Sequence, residues 1–62
     1  MIGRIPVRST WYKVEARTGT AWNDRDDWCR QHCTQRWIQQ TASRITEFEN
    51  HQDAVAFALV WT

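Results

Sequence analysis

The 62 residues of this chain limit what it can fold into more than any motif does. A chain this short buries only about 60% of the surface that it exposes when unfolded, so its core is small. Short domains are therefore stabilised by large apolar side chains, disulfides, a metal or a second copy. Five tryptophans supply large side chains, and we expect most of them to be core and one or two to serve an interface.

The composition favours a soluble, cytoplasmic protein. Two cysteines and a basic N-terminus without a long apolar stretch are typical neither of a secreted disulfide scaffold nor of a signal peptide. The longest apolar run, residues 54–61, is far shorter than the ~20 residues that span a bilayer. We expect residues 1–9 to form an extended basic arm, because Pro6 disfavours a helix there, and residues 10–62 to form one domain.

The first clear strand is predicted over residues 10–17. Its apolar residues alternate with charged ones, so that Tyr12, Val14 and Ala16 share one face, which is the period of a half-buried strand. Thr18, Gly19 and Thr20 then predict a turn.

A helix is predicted next, over residues 24–33. Asn23 can cap it, and acidic side chains in the first turn would stabilise the helix by interacting favourably with its dipole. The acidic residues concerned are Asp24, Asp26 and Asp27. Trp28, Cys29, His32 and Cys33 would lie on the side that packs on a sheet.

The middle of the chain leaves two interpretations open. Residues 37–38 and 44–49 both resemble strands, and between them there is no Gly or Pro. One long irregular strand or a hairpin turning near Ala42 and Ser43 fits this pattern.

The last segment favours a helix over a strand. Asn50 can cap it, and Asp53, three residues later, can complete a shortened capping box. Residues 54–61 are rich in alanine, which favours helix. Because nearly every side chain in this segment is apolar, we expect the helix to be buried almost all round.

These elements predict an α+β fold. Their order is β-α-β-α, or β-α-β-β-α if the middle segment is a hairpin. Helices on one face of a two- or three-stranded sheet form a small two-layer sandwich.

The C-terminal segment carries the pattern Asp-Ala-x-x-Phe-x-Leu-x-Trp at Asp53, Ala54, Phe57, Leu59 and Trp61. In this pattern it resembles short proteins of tailed bacteriophages, which commonly end in an aromatic strand, an acidic turn and such a helix. The earlier Trp28-Cys29 pair is similar to a helix that often precedes this ending. The resemblance implies a phage origin and an α/β fold, but its motif concerns packing and brings no catalytic or binding residue with it.

The residue types that could carry chemistry do not form a convincing set. Cys29, His32 and Cys33 could lie near one another on a helix, with His51 as a fourth ligand, but structural zinc sites usually use separated ligand pairs. Cysteine packs readily in cores, so we expect core packing and no metal or other cofactor. His32 and Cys33 are sequence neighbours and diverge on a helix, which disfavours a catalytic pair. We therefore expect a binding protein and no enzyme.

The wealth of tryptophan and arginine points to a protein partner. These residues are enriched at the energetic centres of interfaces, and we expect either a larger host or phage protein or a second copy in a homodimer. The alternative is a nucleic-acid binder, since residues 1–20 hold four basic side chains against one acidic one. The expected partner-binding residues are Arg4, Arg8, Trp11, Tyr12, Arg17, Phe57 and Trp61.

Overall fold

The computed structural model describes residues 10–62 and contains five elements in the order β-α-β-β-α. The α+β fold class is confirmed, and of the two orders the one with a hairpin is correct. The predicted arm, with Arg4 and Arg8, lies outside the described residues. The elements are β1 (Tyr12–Glu15), α1 (Trp22–His32), β2 (Trp37–Gln39), β3 (Ile45–Phe48) and α2 (His51–Trp61).

The three strands form one antiparallel sheet in the order β1-β3-β2. Tyr12 and Trp37 lie on either side of Phe48 at one end of the central strand β3. The hairpin from β2 to β3 turns without Gly or Pro, because side chains bond its loop. The Ser43 hydroxyl donates to the side-chain oxygen Oε1 of Gln40 at 3.0 Å and accepts from the Ile45 amide at 3.2 Å. β1 is thus an edge strand, placed beside β3 rather than beside β2.

Both helices pack on one face of this sheet around a small core. The Phe48 ring on β3 lies 5.0 Å from the Phe57 ring on α2, and Phe57 in turn contacts Trp28 on α1 edge to face at 5.6 Å. Three of the tryptophans pack against this core, as the composition predicted. The buried apolar residues are Ala16, Cys29, Phe48, Ala54 and Phe57, and Val14, Trp28, Cys33, Trp37 and Trp61 pack against them.

The predicted start of α1 is wrong. The helix begins at Trp22, so that Ala21 is its N-cap and makes no side-chain capping bond, and only Asp24 of the three aspartates lies in the first turn. Tertiary contacts fix this earlier start: the Trp22 indole donates to the Gln40 carbonyl at 3.2 Å. Asp26 lies beyond the first turn, where it forms an i,i+4 ion pair with Arg30 at 3.0 Å.

Two expectations for α2 are confirmed and two are wrong. The segment is a helix, and the Asn50 side chain caps it by accepting from the Gln52 amide at 2.7 Å. Asp53 does not complete a capping box, since its carboxylate accepts hydrogen bonds from the turn after α1. The helix is also not buried all round, because the two-layer packing covers only the side that carries Asp53, Ala54 and Phe57.

Candidate protein-docking surface

The outer side of α2 exposes a group of apolar side chains. Leu59 is 83% exposed, and Val55 and Val60 are 45% and 47% exposed. Ala56 is exposed beside them. We call Val55, Ala56, Leu59 and Val60 the apolar face of α2. From Ala54 to Thr62 the chain carries no charged side chain, and Asp53 is buried on the inner side of α2. No charged side chain of α2 therefore lies on this face to oppose its burial by another molecule.

The spacing of the helix separates this face from the core. Phe57 is fully buried against the sheet, and Leu59 follows it by two residues, which is roughly 200° around a helix. The two side chains therefore point to opposite sides. A single exposed leucine is ordinary on a protein surface. Several exposed apolar side chains side by side on one helix form a contiguous patch, which is typical of interaction sites.

A groove separates β1 from α2 on the outer edge of the sheet. The two elements run side by side, because the Tyr12 ring packs against His51 with ring centroids 4.9 Å apart, while the Arg17 amide donates to the Trp61 carbonyl at 2.8 Å. The groove has a volume of about 240 Å³. Its lining consists of Tyr12, Lys13, Val14, His51, Ala54, Val55 and Ala58.

Of the predicted partner-binding residues, Tyr12 has the most accessible position on this groove. It is 45% exposed, whereas Phe57 is fully buried, so that a partner could reach Phe57 only by opening the core. Trp61 is partly buried and packs against that core. Trp11 is also partly buried, with the Arg36 guanidinium 5.8 Å from its ring centroid.

Arg17 performs a structural task at the end of α2. Its guanidinium donates to the Val60 carbonyl at 3.1 Å, and its backbone amide bonds the Trp61 carbonyl. The last carbonyls of a helix lack partners within the helix, so Arg17 supplies two of the missing donors. Within the described part of the chain, the predicted residues therefore lie in four places: the groove, the core, the end of α2 and, for Trp11, beside Arg36.

Two buried charged residues hold the framework behind this surface, and the sequence analysis did not find their roles. The Asp53 carboxylate accepts from the backbone amides of Thr34 and Gln35 at 3.0 and 3.1 Å. Arg25, only 3% exposed, donates to the Gln39 side chain at 2.9 Å and to the Thr20 carbonyl at 2.7 Å. Asp53 thereby fixes α2 against the turn after α1, and Arg25 fixes α1 against β2.

The cysteines belong to the core, as predicted. Burial raises the pKa of the Cys29 thiol well above its usual range, and it raises the pKa of Cys33 as well. A nucleophilic cysteine reacts as its thiolate, whereas burial favours the neutral thiol at both positions. The His32 ring stacks on Trp28, with ring centroids 4.5 Å apart. Among residues 10–62 no group of three or more His, Cys, Asp or Glu side chains could hold a metal ion.

Comparisons of the chain with family models, curated proteins and solved structures gave no significant match. Neither helix of the described region is long and apolar enough to cross a membrane. The surface geometry and the chemistry of its residues are therefore the basis for a functional assignment.

Proposed function

We propose that this chain is a small phage-encoded protein-interaction module that docks on a larger protein through the apolar face of α2. The observation that carries the proposal is Leu59, which is 83% exposed in the middle of a charge-free helix surface. In so short a chain each large apolar side chain left outside the core is a loss of stability. A partner that covers this face recovers that apolar burial.

The chemistry of the face defines the partner surface. A helix that presents apolar residues at positions i, i+4 and i+5 fits an apolar groove on another protein, which is the helix-in-groove mode of recognition. We expect the partner's groove to be uncharged at its centre, because the apolar face of α2 offers no charged side chain to pair with there. Tyr12 and His51, in contact at the N-terminal end of α2, would lie at the rim of the interface.

The resemblance of the C-terminal segment to short proteins of tailed bacteriophages supports the phage origin. It follows that the partner is a protein of the infected cell's cytoplasm, either a host protein that the module modulates or a phage assembly. We favour the host protein, because a binding module without a catalytic set can alter a host enzyme simply by occupying its surface.

The experiment is capture from a bacterial host lysate, with Leu59→Gln as the test variant and Gln31→Ala as the matched control. Gln31 is an exposed residue of α1 and is not part of the apolar face of α2. We expect the wild type and the control to retain the same stoichiometric protein and Leu59→Gln to lose it. Equal capture by all three chains, or no stoichiometric partner for the wild type, would contradict the proposal.

Nuclease treatment of a duplicate lysate tests the nucleic-acid alternative at the same time. Contacts to phosphates are lost steeply as salt rises, whereas contacts of an uncharged helix face are not. We expect capture to survive both nuclease and moderate salt. If nuclease abolishes the capture, the result would favour nucleic-acid binding by the basic residues over protein binding by the apolar face of α2.

A further inference from the structure

β1 is the edge strand of the sheet, and its outer backbone edge faces away from β3. The Ala16 amide points toward β3 and donates at 2.9 Å to the carbonyl of Arg44, the residue just before that strand. The next amide, of Arg17, points outward and donates to the Trp61 carbonyl. Backbone groups alternate along a strand, so those of Tyr12 and Val14 face β3 and those of Lys13 and Glu15 face outward. Within residues 10–62 no strand pairs with this outer edge. An edge of this kind is a template for another strand.

The residues of β1 make this edge complementary to itself. In an antiparallel pair centred on Val14, Lys13 lies directly opposite the partner's Glu15, and symmetry repeats this contact. The outward backbone groups of Lys13 and Glu15 are then hydrogen-bonded to each other across the pair. Opposite charges in directly opposed positions stabilise a pair of strands. Across the same pair, Tyr12 lies opposite the small Ala16 of the partner subunit.

The neighbouring registers are disfavoured by charge. A pair centred on Lys13 places two lysines directly opposite each other, and a pair centred on Glu15 does the same with two glutamates. Like charges in these positions are destabilising. Lys13 forms no ion pair within the described residues. Glu15, with its side chain 62% exposed, forms an ion pair with the Arg44 guanidinium through Oε2 at 3.0 Å. Lys13 is therefore available for the pair, and Glu15 can accept from it through its other carboxylate oxygen.

The end of α2 bonds the outward Arg17 amide, so the pairing is confined to residues 12–16. The twofold axis of two antiparallel neighbours is perpendicular to the sheet, so both α2 helices lie on the same side of it. α2 packs against both β1 and β3, and strands are ~4.8 Å apart, so a helix centred between these two strands lies about 5 Å from the axis. Two such helices are about 10 Å apart, which is the usual packing distance. Ala58 and Val55, which line the groove beside β1, would face the partner helix.

We propose that two copies of this chain pair through their β1 edges, centred on Val14, to form one continuous six-stranded sheet. The pairing does not depend on the proposed docking function. Leu59 points away from the sheet and stays free, so that one dimer presents the Leu59 side chains of both subunits to other proteins.

Analytical ultracentrifugation of the full chain tests the pairing. We expect the wild type to be a dimer, and Lys13→Glu and Glu15→Lys to dimerise each about tenfold more weakly, because each alone places like charges opposite each other. An equimolar mixture of the two variants restores both opposite-charge contacts and should form a heterodimer. Leu59→Gln should remain dimeric, which separates this proposal from the docking function. A wild type that is monomeric at 1 mM, or a mixture that pairs no better than its components, would overturn it.

Amide hydrogen exchange of the wild type gives a second test that needs no variant. The amides of Lys13 and Glu15 donate across the proposed pair, so their exchange should slow as protein concentration rises. The Val14 amide bonds within the sheet in either state and serves as the internal reference. Exchange at Lys13 and Glu15 that is independent of concentration would overturn the proposal.

Discussion

Asp53 shows how a single residue takes a role that its sequence position does not reveal. The motif Asn-x-x-Asp predicted a capping box, but Asn50 caps α2 without it. The Asp53 side chain is turned toward the chain that follows α1, where it satisfies the amides of Thr34 and Gln35. Hydrogen bonds from backbone amides to a carboxylate are strong. These two bonds connect α2, which carries Asp53, to the turn that follows α1.

Removing this carboxylate should destabilise the fold. We expect Asp53→Ala to lower the free energy of unfolding by about 2–3 kcal/mol, because two partly buried amides lose a charged acceptor. Urea unfolding followed by tryptophan fluorescence measures the change. Asp27→Ala is the matched control, since Asp27 is an exposed aspartate on α1, and it should stay within about 0.5 kcal/mol of the wild type. Equal losses of unfolding free energy in the two variants would contradict this role of Asp53.

The buried thiols predict how stability depends on pH at the alkaline end. Burial raises the pKa of Cys29 in the folded state, so the folded chain holds this proton more tightly than the unfolded chain. The resulting stability is complete below the thiol's unfolded pKa of about 8.5 and is lost as pH rises above it. We expect the free energy of unfolding to fall between pH 8.5 and 11, more steeply in the wild type than in Cys29→Ala, by up to about 1.4 kcal/mol per pH unit. Parallel curves for the two chains would contradict this.

At the scale of the elements, the predictions that depend on local sequence patterns are correct, and those that depend on tertiary contacts are not. β1 was predictable because its two-residue alternation is local, and α2 because a cap and alanine propensity agree. The start of α1 was not, since Trp22 and Arg25 hold it by contacts to the hairpin and to Thr20. The burial of α2 was misjudged because an apolar sequence does not show how many sides of a helix the fold covers.

The end of α2 offers a test of this dependence between elements. Replacing Arg17 with Gln removes the guanidinium that bonds the Val60 carbonyl, while the backbone bond to Trp61 remains. We expect the last turn of α2 to fray, with amide exchange of Trp61 and Thr62 a few-fold faster and a stability loss of about 0.5–1 kcal/mol. Arg30→Gln on α1 provides the control and should leave these amides unchanged. Faster exchange in both variants would contradict the assignment of Arg17 to the end of α2.

For the whole molecule, the sequence predicted the layers but not the order of the strands. The placement of β3 between β1 and β2 follows from long-range packing of Phe48 under Phe57, which no local pattern encodes. The same placement makes β1 an edge and puts α2 alongside it. Of the predicted partner-binding residues, Tyr12 reaches the surface beside α2. The exposed Leu59 was missed, because the sequence analysis met it only within a motif that concerns packing.

The central claim is that the two sides of α2 have separate tasks, the inner side for folding and the outer side for binding. The most direct test measures unfolding free energy and partner affinity together for Phe57→Leu and Leu59→Gln. We predict that Phe57→Leu loses about 1 kcal/mol of stability and keeps its affinity for the captured partner. Leu59→Gln should keep its stability within about 0.5 kcal/mol and bind at least about tenfold more weakly, a loss of about 1.4 kcal/mol. Unchanged partner affinity in Leu59→Gln would contradict the claim.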